Sequence, residues 1–328
     1  MLKSNPKQVY CYRSKKSLNE LKKPLVMNRT LSIKRNTQWW SRQSLHFCTY
    51  QDCPRYLQDN EFIITGYRKE YSYRESWISL FHWHNETINV WLHLVGFLIH
   101  LYLIWHSWFA PIHPAIEFAD RIVLILFLSC VSYTLLMSAM YHLHCCVSKE
   151  DCVFWGCLDF SGISASIAGS SFSIMYFLIH CDNSSREIWI GILMIVNMVG
   201  IVGPTFPFWM SSDFRVYRTG LFIMSSVLSF IPTLNYVFHH GAKHIPHYNE
   251  NITFVSLGLV IPQFLLGSIA YAFRIPERFF PGKFDIFFHS HQIWHFLVVT
   301  GSVCLYYGLV GLIKWRLDDP VMCELHRL

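Results

Sequence analysis

Three histidines have the spacing and the setting of metal ligands. His291 and His295 stand four residues apart in "HSHQIWH", and this spacing places both imidazoles on one face of a helix. His142 lies near the end of another apolar run, in "SAMYHLH". Three imidazoles leave the fourth position of a tetrahedral Zn²⁺ open for water, which is the arrangement of catalytic rather than structural zinc.

Two further polar residues belong to the same hypothesis. Ser138 precedes His142 by one helical turn, and Asp159 lies in "CLDFSGI" at the start of the next apolar run. Asp159 could contact the metal-bound water or orient an imidazole, and Ser138 could support His142. In a chain with 18 histidines about one i,i+4 pair arises by chance. The alternative is therefore a histidine pair that only packs.

Composition favours an integral membrane protein. The chain has 328 residues, of which 52% are hydrophobic, 17% aromatic and 15% charged. Soluble domains average roughly 25% charged residues, and abundant aromatic rings are typical of membrane–water interfaces. Nothing in the charge pattern indicates nucleic-acid binding.

Apolar runs long enough to cross a bilayer, about 20 residues each, predict an all-α bundle of seven transmembrane helices. The predicted spans are 87–108, 121–142, 153–179, 188–210, 217–238, 253–273 and 286–312.

Alternation of helix direction places the polar residues together. The second span ends on the same side of the membrane on which the third and seventh spans begin. Ser138, His142, Asp159, His291 and His295 are therefore expected at similar depth near one face of the bundle. This agreement in depth favours the metal site over chance packing.

The basic residues predict a cytoplasmic N-terminus. Residues 1–86 hold 15 of the 27 Lys and Arg residues, and such residues concentrate on the cytoplasmic side. We divide the chain into a basic, disordered tail (1–46), a juxtamembrane segment (47–86), the membrane domain (87–312) and a short non-cytoplasmic tail (313–328).

The juxtamembrane segment has a helical pattern of apolar residues that suits an amphipathic helix on the membrane surface, with a packed soluble helix as the alternative. The residues of this pattern are Tyr73, Trp77, Leu80, Phe81 and His84.

Other polar residues are given structural roles. His93 and His100 are expected to be buried and hydrogen-bonded. Asn85 and Glu86 are interpreted as helix-start residues, because a carboxylate is favoured at the positive end of the helix dipole. His289 does not share the helical face of His291 and His295, and its side chain is expected to point away from them.

Five short sequence motifs resemble those of one protein family. "NETINVWLHLVGF", "SAMYH", "LDFSGI", "IPERFFPG" and "SHQIWH" resemble the progestin and adipoQ receptor family, over about three quarters of the chain, from Pro54 to the end of the seventh span. Within that family, "YLQDNEFIITGYR", "RIPERFFPG" and the ending "HRL" are most similar to a Golgi-resident branch that traps Raf kinase.

The resemblance implies zinc held by His142, His291 and His295, with Asp159 near the metal-bound water and Ser138 beside it. For function it implies a Golgi-membrane signalling regulator whose N-terminal segment sequesters Raf kinase and damps mitogen-activated kinase signalling. The alternatives are a zinc-dependent hydrolase of the ceramide amide bond or an adiponectin-type hormone receptor. A transporter has little support, because no internal repeat is apparent.

Overall fold

The computed structural model describes residues 45–210, 214–240 and 250–318. Most of the basic tail predicted for residues 1–46, and most of the predicted C-terminal tail, lie outside these residues. The described chain is helical apart from two strands of two residues each.

The described part of the chain contains seven long helices. A short helix, α1 (Tyr73–Ser79), precedes them. The long helices are α2 (Thr87–Phe109), α3 (Phe118–His144), α4 (Lys149–Leu178), α5 (Asn183–Val202), α6 (Arg215–His240), α7 (Glu250–Phe273) and α8 (Ser290–Asp318).

Five segments are long and apolar enough to cross a membrane: helices α2, α3, α4 and α8, and the stretch Asn183–Thr205. Helix α7 contributes a shorter apolar stretch, Gly258–Phe273. Five of the seven predicted spans therefore meet this criterion within the described part of the chain.

The helix that carries the histidine pair starts and ends later than the sequence predicts. It begins at Ser290 rather than 286, because Phe288 has a φ of 65°, which an α-helix does not allow. It continues to Asp318, beyond the predicted end at 312.

Side-chain hydrogen bonds define where several helices begin. Ser72 and Glu75 form a reciprocal capping box at the start of α1. The Ser148 hydroxyl accepts from the Asp151 backbone N–H at the start of α4.

Helix α3 packs between α2 and α4, and α8 packs against all three. Small residues allow this close approach. At Gly162 a Cβ atom would lie only 2.9 Å from the Cα of Thr134, and the Thr134 hydroxyl donates to the Gly162 carbonyl at 2.6 Å. Large apolar side chains from α3 and α8, such as Phe127, Leu135 and Leu309, fill the space between the helices.

Two segments fold together at the end of the bundle where α2 and α8 begin. Residues 45–86 pack against the loop 274–289, and we call both segments together the cap. Strands β1 (Phe47–Cys48) and β2 (Tyr67–Arg68) pair in antiparallel register within it. The backbone N–H of Gly282 donates to the Phe62 carbonyl at 3.1 Å, which joins the chain before α8 to the chain before α2.

Two buried carboxylates hold the cap. Asp285 accepts from the backbone N–H groups of Ile64 at 3.0 Å and Thr65 at 2.8 Å, and from the Thr65 hydroxyl at 2.6 Å. Glu277 accepts from the backbone N–H of Ser290 at 2.8 Å and from its hydroxyl. A carboxylate there stabilises the N-terminus of α8, where the helix dipole is positive.

The amphipathic helix predicted in the juxtamembrane segment is shorter and more tightly packed than the sequence suggests. Helix α1 ends at Ser79, and Leu80 and His84 are buried after it. The rings of Tyr73 and Trp77 pack against His144, with centroids 4.8 and 5.5 Å apart. Contacts with the end of α3, which local periodicity does not reveal, thus determine its position.

Replacing Asp285 by alanine should destabilise the cap. The change leaves two backbone N–H groups without their acceptor, at a cost of about 2–4 kcal/mol. We expect a lower Tm in detergent and faster proteolysis between residues 45 and 68. Asp52→Ala is the control, because exposed Asp52 accepts only a local bond from Thr49. Equal Tm values for the two variants would contradict this role of Asp285.

Candidate metal centre

The three predicted histidines meet between α3 and α8. His142 comes from the last turn of α3, and His291 and His295 come from the first turns of α8. One nitrogen from each imidazole lies within 4.8 Å of the others. The two Nε2 atoms of His142 and His291 are 3.1 Å apart. The structure therefore confirms that these side chains form one cluster.

This cluster fits a zinc ion. Zn–N bonds of 2.0–2.1 Å in a tetrahedral site separate two ligand nitrogens by about 3.3 Å, close to the 3.1 Å between His142 and His291. His142 and His295 are buried, at 4% and 2% exposure. Neutral imidazole is the form that binds a metal.

One side of the cluster is more open. His291 is only partly buried, and the ring of Tyr271 from α7 lies beside it with a centroid distance of 5.0 Å. His291 is therefore the most exposed of the three candidate ligands.

The residues predicted beside the metal also lie here. The half-buried carboxyl group of Asp159, on α4, interacts with the Ser138 hydroxyl and with His142. Ser138 is buried on α3, one turn before His142. Asp159 is thus close to the cluster, although the group of three candidate ligands does not include it.

Glu86 is a member of the site that the sequence interpretation missed. Its Oε2 accepts from His142 Nδ1 at 2.8 Å and from Asn89 Nδ2 at 2.6 Å. Glu86 occupies the N-cap position of α2, as the sequence predicts, although its side chain forms no capping hydrogen bond. The sequence did contain a signal for this contact. Glu86 lies at the start of α2, and α2 begins on the same side of the bundle as α8, so Glu86 is at the same depth as the histidines.

The cap holds the chain around Glu86. His84 is fully buried, and its Nδ1 accepts from the Glu86 backbone N–H at 3.1 Å. Burial and the charge of Arg68 lower the pKa of His84 to about 2, so the ring is neutral and can accept. Burial opposes ionisation of Glu86, whereas the hydrogen bonds with His142 and Asn89 favour its ionised carboxylate.

Arg68 of the cap contacts the backbone of His142. Its guanidinium donates to the carbonyl oxygens of His142 at 2.5 Å and Leu143 at 3.0 Å. These carbonyls belong to the C-terminal end of α3, where a cation is favourable. His142 is therefore contacted both at its ring and at its backbone.

The structure agrees with the predictions for His289 and His100 and differs in part from the prediction for His93. His289 faces the Asn85 carbonyl at 3.1 Å, away from the cluster as predicted. His100 is buried and contacts the Gly96 carbonyl at 2.8 Å, also as predicted. His93 is buried, but neither ring nitrogen has a hydrogen-bond partner among the described residues. The His93 ring instead stacks on the His295 ring, with ring centroids 3.7 Å apart. The sequence did not predict this contact.

Comparison with known proteins identifies a matching family and several similar proteins. The haemolysin-III-related family matches residues 81–306. Heptahelical transmembrane protein 1 of Arabidopsis thaliana is 32% identical over 281 residues, which cover 84% of this chain and 83% of that protein. The progestin and adipoQ receptor-like protein 1 of Caenorhabditis elegans is 33% identical, covering 82% of this chain and 62% of that protein.

Two animal receptors extend the comparison. The adiponectin receptor protein of Drosophila melanogaster is 31% identical, covering 82% of this chain and 60% of that protein. The human progestin and adipoQ receptor family member 3 is 29% identical over 288 residues, covering 86% of this chain and 92% of that protein. The chain thus spans about three fifths of the nematode and fly relatives.

Fold and similarity define a multi-pass helical membrane protein that carries a buried imidazole cluster. The chain belongs to the progestin and adipoQ receptor family of haemolysin-III-related proteins.

Proposed function

We propose that this receptor-like protein contains an intramembrane zinc centre and hydrolyses an amide bond of a membrane lipid. The observation that carries the proposal is the half-buried carboxyl group of Asp159 beside three clustered imidazoles that it does not join as a ligand. His142, His291 and His295 would hold the ion. When bound, zinc supplies a Lewis acid that polarises a carbonyl and lowers the pKa of water.

The residues of the chain have separate tasks in this reaction. Asp159 takes the proton from the attacking water and delivers it to the amide nitrogen as the carbon–nitrogen bond breaks, which releases a fatty acid and an amine. The Ser138 hydroxyl orients the Asp159 carboxyl group. The Nε2 of His142, on the side of the ring opposite its contact with Glu86, would face the ion.

The setting supports a lipid substrate. The cluster lies between apolar helices that also supply the exposed hydrophobic side chains of the bundle. An N-acylated sphingoid lipid such as ceramide has an amide at the junction of its polar head and its acyl chains, and this geometry matches a site near one end of the bundle.

Asp159→Asn should abolish turnover without loss of metal. Loss of a general acid–base group lowers rates by about 10²–10⁴-fold. We would measure fatty acid release from ceramide in mixed micelles, together with zinc content in the same preparations. The control is Glu150→Gln, an exposed carboxylate on the same helix. Wild-type protein that holds zinc but releases no fatty acid would contradict the hydrolase.

A second candidate is a Golgi-membrane regulator that sequesters Raf kinase and damps mitogen-activated kinase signalling. Two observations favour it. Residues 1–86 are strongly basic in composition, and such a charge favours an acidic partner or anionic lipid. Cys181, at the end of the bundle opposite the cap, is disulfide-bonded, whereas Cys48 and Cys53 in the cap are free thiols. Disulfides persist outside the cytosol, which supports a cytoplasmic cap.

Deletion of residues 1–44 should separate the two candidates. The truncated protein should lose recruitment of Raf kinase to Golgi membranes, because the tail carries most of the basic residues of segment 1–86. His295→Ala in the full chain should keep recruitment, since the metal centre takes no part in it. Co-localisation in cells at equal abundance measures both. Recruitment by the truncated protein would contradict this candidate.

A further inference from the structure

The carboxylate of Glu86 connects the start of α2 to the candidate metal centre. Its Oε2 lies 2.8 Å from His142 Nδ1, and the opposite nitrogen of that ring, Nε2, lies 3.1 Å from His291 Nε2. The imidazole of His142 thus lies between the Glu86 carboxylate and the other two candidate ligands.

This position of the ring determines which nitrogen can bind a metal. A carboxylate only accepts, so His142 must carry its proton on Nδ1, and the lone pair of Nε2 is left facing the cluster. A carboxylate on the far nitrogen also makes the imidazole a stronger donor. The alternative tautomer would leave two lone pairs, on Nδ1 and on the carboxylate, in repulsive contact.

Glu86 is itself held in place. Asn89, one turn further along α2, donates to the same oxygen at 2.6 Å. The backbone N–H of Glu86 is bound to His84, and the backbone N–H of Asn85 donates to the Gly66 carbonyl at 3.1 Å. These contacts fix the carboxylate from both the helix and the cap.

We propose that Glu86 is a positioning residue of the metal centre, which fixes the ring of His142 in the tautomer and orientation that bind the ion. The proposal rests on the zinc centre of the proposed function. It assigns α2 a part in a site whose candidate ligands come from α3 and α8 alone.

The test compares zinc affinity in purified full-length protein by competition with a chelator. Glu86→Ala should lower zinc affinity about 10–100-fold, the usual cost of losing such a partner. Glu86→Gln should lose less, because its amide oxygen can still accept from Nδ1. In Co²⁺-loaded protein, Glu86→Ala should also alter the visible absorption bands, which report the ligand geometry around the metal.

Glu75→Ala is the matched control. Glu75 is a carboxylate in the same cap, and its capping box stabilises α1 without touching a candidate ligand. It should lower Tm and leave zinc affinity and the Co²⁺ spectrum unchanged.

The outcomes separate this proposal from the proposed function. Wild-type zinc affinity in folded Glu86→Ala would overturn the role of Glu86 alone. Equal losses of affinity in Glu86→Ala and Glu75→Ala would also overturn it, because they would indicate a purely structural effect. Absence of zinc binding by the wild type would overturn the zinc centre and, with it, this role.

Discussion

The clustering of three imidazoles between apolar helices, two of them buried and one partly buried, is the constraint on which the rest of the structure depends. Polar groups buried without partners cost several kcal/mol, and His295 is almost completely buried. A shared metal ion would satisfy all three rings at once and would link the end of α3 to the start of α8. The remaining elements can be understood as the means of keeping these two helix ends together.

The helices and the cap contribute to this in different ways. Close contacts such as Gly162 against Thr134 set the distance between α3 and α4, which brings Asp159 beside the cluster. The cap acts on the helix ends: Arg68 binds the last carbonyls of α3, and Glu277 binds the first residue of α8. The helix ends that carry the candidate ligands are therefore held by backbone contacts as well as by contacts of the histidine rings.

The sequence predicted the long helices and the cluster because both depend on regular spacing. Apolar length gave the helices, and the i,i+4 spacing together with alternating helix direction brought His142, His291 and His295 to one depth. Contacts between distant segments could not be predicted in this way. Glu86 looks like a helix-start residue locally, and its bond to His142 joins residues 56 positions apart. The stacking of His93 on His295 likewise depends on how α2 and α8 cross.

Zinc content per chain of the detergent-purified protein, measured by elemental analysis, tests the central claim most directly. The wild type and His289→Ala should each hold about one zinc ion, and His295→Ala should hold none. His289 and His295 lie in one heptapeptide, so a general effect of removing a histidine would appear in both variants. A folded wild type without zinc, or equal zinc content in all three proteins, would contradict the account.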